Sequence, residues 1–167
     1  MYPLALCLTL VSLLALSSLV LPGSLADRAQ VHRARCEAVA DNFLLFCSAA
    51  RLALDKQAAA HATGSPDHSA DLSPAASLTL AQVEQHLPPG YVALGSWQIA
   101  SSEDRVCVYG PPAAGSRHEL LAFHVRRKLD NARTAGQCRS SHLHPAGIAL
   151  PDAIPEGSVV CVLAPRQ

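Results

Sequence analysis

The residues best suited to chemistry are two histidines, His142 and His144, separated by one residue. On a β-strand such residues point to the same face, so both rings would lie within reach of one metal ion. No further ligand follows at a spacing typical of a metal site. We therefore interpret the pair as polar residues near a loop and predict no metal site.

Motifs that would indicate an enzyme do not occur in the sequence. There is no GxSxG, no glycine-rich phosphate loop, no HExxH and no pair of carboxylates in an apolar setting. We therefore predict no catalytic residue, no cofactor-binding residue and no small-molecule substrate. An enzyme is the least favoured interpretation.

Charge also limits the partners. The 167 residues have a formal net charge of zero, and only 16% of them are charged. A neutral chain lacks the field that attracts nucleic acid, so we predict no nucleic-acid partner. A local basic cluster, residues 126–128 with Arg133 and Arg139 nearby, is interpreted as the solvated face of a helix, although such a cluster would also suit acidic lipid headgroups or a partner protein.

Six cysteines lie at positions 7, 36, 47, 107, 138 and 161, and none forms a CxxC pair. The spacings fit no zinc ribbon or zinc finger. Five of the six follow the N-terminal apolar segment, so they cannot all pair within one chain. In an oxidising compartment up to two disulfides could form. We favour a buried thiol for Cys47 and a disulfide for Cys138 and Cys161.

The N-terminus is a membrane-length apolar segment. No charged residue occurs between residues 4 and 21, and about 18 apolar residues reach the lower end of a bilayer-spanning helix. We predict a membrane anchor or signal segment over residues 1–26 and a single domain over residues 27–167. The predicted membrane segment is represented by Leu4, Leu8, Val11, Leu14, Leu19 and Leu21.

Two alternatives remain open for this segment. An uncleaved anchor is favoured by its length, whereas the small residues Ser24 and Ala26 before Asp27 resemble a signal-peptidase site. Arginines after the segment would place that flank in the cytoplasm by the positive-inside rule. The cleavage-like site and the cysteines favour export of the body, so we predict a bacterial inner-membrane protein with its body in the periplasm.

A long amphipathic helix should follow, because residues 27–60 contain no Gly or Pro and many strong helix formers. Its apolar residues recur at steps of three and four, which indicates a face to bury. The predicted packing face consists of Cys36, Val39, Phe43, Phe46, Cys47 and Leu54. Cys36 and Cys47 lie too far apart along the helix, about 16 Å, to bridge each other.

The remaining chain predicts short elements. Residues 63–77 read as a surface loop, and Thr79 with Gln82 matches a capping box for a short helix to about His86. Two antiparallel strands are predicted over 91–99 and 105–110, a helix over about 117–132, and further strands over 137–143 and 157–163. The predicted fold class is α+β: an N-terminal membrane helix that continues into a long amphipathic helix, packed on a small antiparallel sheet, pilin-like in layout.

The order of these segments resembles a known family. NFLLFCSAARLAL, LPPGYVALGSWQ, RVCVYGPP and finally GIALPDAIPEGSVVCV are similar to the small membrane-bound PilM proteins of conjugative-plasmid thin pili, a type IVb pilus system. The actin-like ATPase of the same name is a different protein. The final LP-x-x-IP-x-G-x-VV segment is the most specific part, and the resemblance implies that its prolines turn the chain into a last strand that completes the sheet.

The resemblance implies a non-enzymatic component of the pilus basal body or pilin transport apparatus, needed for conjugation in liquid, with other pilus assembly proteins and the membrane as partners. Six cysteines are more than we expect of the family. One alternative is a secreted disulfide-bonded binding domain, released by signal peptidase after Ala26. Another, a minor pilin, is disfavoured because the chain lacks the prepilin cleavage glycine followed by Phe-Thr-x-x-Glu.

Overall fold

A computed structural model describes residues 2–63, 78–102, 105–112 and 118–163, with side chains from residue 27 to residue 60 in the first range. The chain divides into two compact units, Met1–Cys36 and Glu37–Gln167. The first unit consists of helix, the N-terminal part of α1 (Tyr2–Thr63). The predicted membrane segment, residues 4–21, lies outside the described side chains. Within the described part of the chain, no helix is both long and apolar enough to span a bilayer.

The second unit packs helices on an antiparallel sheet, which confirms the predicted α+β class. Besides the C-terminal part of α1, its helices are α2 (Leu80–Glu84) and α3 (His118–Arg127), and a 3₁₀ turn spans Ala132–Thr134. The strands are β1 (Gln98–Ser101), β2 (Val106–Gly110), β3 (Ala135–Arg139), β4 (His142–His144), β5 (Ile148–Ala149) and β6 (Val159–Leu163). The sheet order is β1-β2-β6-β3-β4-β5. The sequence predicted about four strands, and the described residues form six.

The last strand lies in the middle of the sheet. β6 pairs with β2 on one side and β3 on the other, and all five of its residues are buried. The proline-containing segment before β6 forms two turns, in which Ile154 N–H donates to the Pro151 carbonyl and Ser158 N–H donates to the Pro155 carbonyl. These turns bring the chain back across the sheet before β6 begins.

Both faces of the sheet are covered. On one face, alternate residues of β2 and β6, such as Val108 and Cys161, join a core formed with α1 and α3. On the other face, Cys107 and Val162 join a second core closed by Leu150 and Ile154. Because side chains alternate between the faces of a strand, β2, β3 and β6 contribute to both cores, whereas β4 and β5 contribute to the second core.

The predicted packing face of α1 is the side that meets the sheet. Phe43, Phe46 and Cys47 are buried in the first core, and Cys36, Val39 and Leu54 are half-buried. Ala50, which recurs on the predicted apolar stripe, is also buried. The buried face is wider than predicted, since it also includes a polar residue and three further alanines. These additional buried residues are Ala40, Asn42, Ala49 and Ala53.

Two predicted elements differ from the structure. The predicted strand over 91–99 begins only at Gln98, because the preceding backbone bonds to α1 instead of to a neighbouring strand. The predicted helix over 117–132 ends at Arg127, where the chain tightens into bonds between residues three apart, from Lys128 N–H to the Val125 carbonyl and from Leu129 N–H to the Arg126 carbonyl.

The predicted strand over 137–143 is in fact a hairpin. Ser140 and Ser141 both have positive φ, 51° and 59°, as the two central residues of a type I′ turn require. Glu156 supports the turn by accepting a hydrogen bond from the Ser140 N–H at 2.8 Å. The turn reverses the chain from β3 into β4.

The short helix α2 begins as predicted. The Gln82 side-chain oxygen accepts hydrogen bonds from the backbone N–H and the hydroxyl of Thr79, at 2.9 and 3.0 Å. Leu78 and Val83 flank this cap and are both buried. The predicted loop over residues 63–77 lies almost entirely outside the described residues.

Candidate interaction surface

A loop over residues 91–97, here called the Trp97 loop, is held against α1 by one buried side chain. Asn42 lies on the buried face of α1, and its Oδ1 accepts hydrogen bonds from Trp97 Nε1 at 2.9 Å, Leu94 N–H at 2.9 Å and the Tyr91 hydroxyl at 3.0 Å. Its Nδ2 donates to the Val92 carbonyl at 2.9 Å. One amide therefore takes the place of a neighbouring strand for this loop.

The chemistry of the partners fixes the orientation of the Asn42 amide. Indole and backbone N–H groups can only donate, so the atom that receives them must be the oxygen. Two lone pairs accommodate these two bonds, and the Tyr91 hydroxyl shares the oxygen or turns to the Asn42 backbone carbonyl at 3.3 Å. Burial raises the pKa of the Tyr91 hydroxyl, so the group keeps its proton as a donor at neutral pH.

Packing fixes the indole of Trp97 as firmly as its hydrogen bond does. The ring contacts Phe43 edge to face, with centroids 5.0 Å apart and planes at 62°. Gly95 and Gly110 both face the indole, and a Cβ added to either would come within 2.7 Å of a ring carbon. Only glycine at these two positions leaves room for the indole, so Trp97 is enclosed between two glycines and the Phe43 ring.

Outside this anchor the Trp97 loop presents apolar side chains to solvent. Val92 is 71% exposed and Leu94 is 55% exposed, and Ala93 between them lines a pocket of about 610 Å³. The pocket is lined in part by Phe46, Leu80, Leu87, Pro88, Tyr91 and Trp97. Exposed apolar side chains beside a concavity on a rigid support are typical of a protein-binding surface.

A second set of contacts joins α1 to α3, and to the residue that follows α3, through polar side chains. Lys128 Nζ lies 2.6 Å from Asp41 Oδ1, and four residues earlier in both segments His124 Nδ1 lies 3.7 Å from Glu37 Oε1. Arg139 pairs with Glu119 at 2.9 Å, and Arg126 donates to the Ala132 carbonyl. Much of the predicted basic cluster is therefore engaged within the protein.

Comparison with known proteins identifies the chain. The family model described as PilM matches residues 11–162, most of its length. The chain belongs to the PilM family. Searches of curated proteins and of solved structures found no match. The family match includes α1 from residue 11 onward, the Trp97 loop and the six described strands up to residue 162 of β6.

The histidines that suggested chemistry lie apart from the Trp97 loop of this PilM-family protein. His142 and His144 are exposed on β4, and His142 Nδ1 lies 2.7 Å from the Ser140 carbonyl, in the hairpin turn. Among the residues that the structure describes, no group of three or more His, Cys, Asp or Glu side chains is placed to hold a metal ion. The two imidazole rings therefore lie on the exposed side of β4, next to the Ser140–Ser141 turn.

The cysteine pairing favoured from the sequence is not the one that the fold brings together. Cys161 faces α1, whereas Cys138 belongs to the core on the opposite face of the sheet. The register explains this, because Cys161 pairs with Ala135 and a residue three positions further along β3 points to the other side. Both thiols are free in the structure, and Cys161 belongs to the same buried core as Cys47.

Asn42 is the residue that the sequence-based interpretation missed. It occupies a position in step with Val39 and Phe46, three residues after one and four before the other, and so falls on the apolar stripe. A polar side chain on a stripe predicted to be buried needs hydrogen-bond partners. A polar residue on an apolar stripe was the signal available in the sequence, and it indicated that Asn42 makes hydrogen bonds to another part of the fold.

Proposed function

We propose that this PilM-family protein is a non-enzymatic component of thin-pilus biogenesis in a conjugative type IVb system. The family match over residues 11–162 carries the proposal. In the proposal, the protein is part of the basal body or pilin transport apparatus, and its body lies in the periplasm beside the inner membrane. Its partners are other pilus-assembly proteins.

The geometry suits a scaffold that acts by contact. The most elaborate polar arrangement in the described residues, around Asn42, points its bonds inward and fixes a loop. The same loop directs Val92 and Leu94 outward. Rigid support beneath exposed apolar side chains lowers the entropy lost when a partner binds.

Deletion and topology experiments test the placement. We expect deletion of the gene to abolish thin pili and mating in liquid, and a reporter that is active only outside the cytoplasm to be active when fused to Gln167. The intact chain should stay with membranes during an alkaline carbonate wash, because the hydrophobic effect would hold the uncharged segment over residues 4–21 in a bilayer. An inactive reporter in a strain that still makes pili would contradict the periplasmic placement.

Intact mass spectrometry separates this proposal from the alternative of a secreted binding domain. Cleavage after Ala26 would give a mature chain that starts at Asp27, which intact mass spectrometry detects directly. A chain of full length in the membrane fraction would exclude that alternative. A mature chain starting at Asp27 in the periplasmic fraction would support it.

The Trp97 loop provides a sharper test of contact. We expect Leu94→Asp to reduce mating in liquid strongly, because a carboxylate at the centre of an apolar contact must be desolvated when a pilus-assembly protein binds. The exposed side chain contributes little to folding, so the free energy of unfolding should change by less than about 0.5 kcal/mol.

The matched control is Phe123→Asp on α3. Phe123 is 56% exposed and Leu94 is 55% exposed, so the two changes introduce the same charge at equally exposed apolar sites on different elements. Mating should remain at the wild-type level with Phe123→Asp. Equal mating by both variants would show that the Trp97 loop is not the contact surface.

A further inference from the structure

One cysteine lies beside a histidine on the exposed part of α1. Cys36 Sγ is 3.6 Å from His32 Nδ1. The two residues are four positions apart, which places their side chains on the same face of the helix, one turn from each other. Residues 27–35 are exposed and Cys36 is half-buried, so a solute can reach both atoms. The other cysteines with described side chains are buried.

The distance between these two atoms suits a single metal ion. Zinc binds cysteine sulfur at about 2.3 Å and histidine nitrogen at about 2.0–2.1 Å, so a tetrahedral angle at the ion separates the two ligand atoms by about 3.6 Å. Cys36 and His32 therefore bind one ion together without a change in the helix. The same separation allows a hydrogen bond between the thiol and the imidazole, and a bound cation takes the place of that proton.

The donor atoms select the class of ion. A thiolate with an imidazole is typical of zinc, whereas magnesium and calcium prefer oxygen ligands. Zinc sites in proteins use three or four protein ligands. One chain provides two at this position, since the described part of the chain has no group of three or more His, Cys, Asp or Glu residues placed to hold a metal ion.

We infer that His32 and Cys36 of two copies of this chain bind one zinc ion, in a tetrahedral site with two thiolates and two imidazoles. The site is incomplete in a single chain and complete when a second copy contributes the same pair. A two-fold axis between two α1 helices makes the two contributions identical. Val31, next to His32, is 69% exposed, so this part of α1 also has an apolar side chain available to a neighbouring helix.

The charge around the pair favours two thiolates over one. Arg28, Arg33 and Arg35 lie on the same stretch of α1, and Asp27 and Glu37 offset them only in part. Nearby guanidinium groups repel a centre that keeps a positive charge. Each thiol releases its proton to solvent on binding, so two thiolates cancel the charge of the ion. A centre with one thiolate would remain positive, which favours sharing the ion between two copies.

Anchoring in one membrane would bring the two helices into register. In the proposed function the copies share a membrane and their α1 helices leave it in the same direction, which places both His32–Cys36 pairs at the same height. This arrangement in the cell rests on the proposed function. Binding of the ion by purified protein does not depend on it.

The test uses cobalt(II) in place of zinc, because the absorption spectrum of cobalt reports its ligands. The purified full chain in detergent, kept reduced with a phosphine, is titrated with cobalt chloride. We expect the intense visible bands of tetrahedral cobalt and a thiolate-to-cobalt charge-transfer band, both reaching their maximum at one ion per two chains. Zinc should displace the cobalt and remove the bands.

The variants change exposed or half-buried positions of α1, so they leave the buried cores intact. His32→Ala and Cys36→Ala should each abolish the bands. The matched control is the double variant Ala34→Cys with Cys36→Ala, which keeps one cysteine but moves it to the other side of the helix from His32, and it should also lose the bands. His142→Ala, which removes an exposed histidine from β4, should retain them.

A maximum at one ion per chain, an octahedral cobalt spectrum, or an unchanged spectrum in the double variant would overturn the shared site. Light scattering gives a second measurement, since the protein mass should double with zinc and return with EDTA. A chain that binds no cobalt but still supports mating in liquid would overturn the site and leave the proposed function intact. A chain that binds one ion per two copies while the reporter at Gln167 is inactive would support the site and contradict the periplasmic placement.

Discussion

Replacing Asn42 with leucine should destabilise the second unit by about 3 kcal/mol or more, since it strands the donors that converge on one oxygen. The indole N–H of Trp97 is buried and has no water to replace the lost acceptor. Leu94 N–H and the Val92 carbonyl also lose their partner, although both belong to exposed residues. Urea unfolding followed by tryptophan fluorescence measures the loss, because the only Trp of the chain is the reporter.

The control for this change is Ser48→Ala. Ser48 lies on the same helix and its hydroxyl donates to the Leu44 carbonyl at 2.9 Å, but the side chain is exposed. Its removal should alter the free energy of unfolding by less than about 0.5 kcal/mol. A loss for Asn42→Leu as small as that for Ser48→Ala would show that the Trp97 loop does not depend on the amide.

A double-mutant cycle assigns the energy to the bond itself. Trp97→Phe removes the indole N–H together with the fluorescent reporter, so unfolding of all four proteins is followed by circular dichroism, and Asn42→Leu should cost less in that background than in the wild type. Groups in one hydrogen-bond network typically couple by about 0.5–3 kcal/mol. Purely additive costs would place the contribution of Asn42 outside its bond to Trp97.

Local patterns predicted much of the second unit. The long helix follows from a run without Gly or Pro, α2 from its capping box, and the hairpin of β1 and β2 from two β-rich runs around a polar turn. Each of these signals lies within a few neighbouring residues. The long helix, α2 and β2 were therefore predicted with nearly correct positions, whereas only the last two residues of the predicted strand over 91–99 belong to β1.

The features that the sequence did not reveal depend on contacts across the chain. Asn42 bonds to residues about fifty positions away, and Cys47 and Cys161 join the same core only after β6 inserts between β2 and β3. The Ser140–Ser141 turn lacks the Asn-Gly or Asp-Gly pair that usually marks a type I′ turn. Strand register decides which face a side chain occupies, and a sequence pattern does not fix that register.

The support of the candidate interaction surface also depends on contacts between residues that are distant in the sequence. On the predicted strand over 91–99, Tyr91 and Trp97 share one face, and Val92 and Leu94 lie on the other. In the structure residues 91–97 precede β1, and the Asn42 amide, in place of a neighbouring strand, holds the aromatic groups inward while Leu94 is exposed. A polar residue of α1 thus determines which apolar residues of a distant loop remain available to a partner.

Phe43→Asp should have the largest effect on stability of any single change to α1. The side chain is fully buried and contacts Trp97 edge to face, and nothing around it in the first core can pair with a carboxylate. The substitution removes a large aromatic group, leaves a cavity and adds a polar group without a partner. Loss of the aromatic ring alone typically costs about 3–5 kcal/mol, and the unpaired polar group adds to this.

Leu45→Asp is the matched control, since it places the same charge two residues further along the same helix. Leu45 is 48% exposed, so the carboxylate remains in water and the free energy of unfolding should change by less than about 0.5 kcal/mol. Domains are typically stable by about 5–15 kcal/mol, so Phe43→Asp should leave a substantial fraction unfolded while Leu45→Asp unfolds like the wild type. Matching urea midpoints for the two variants would contradict the packing of α1 on the sheet, because only the buried position is sensitive to charge in that arrangement.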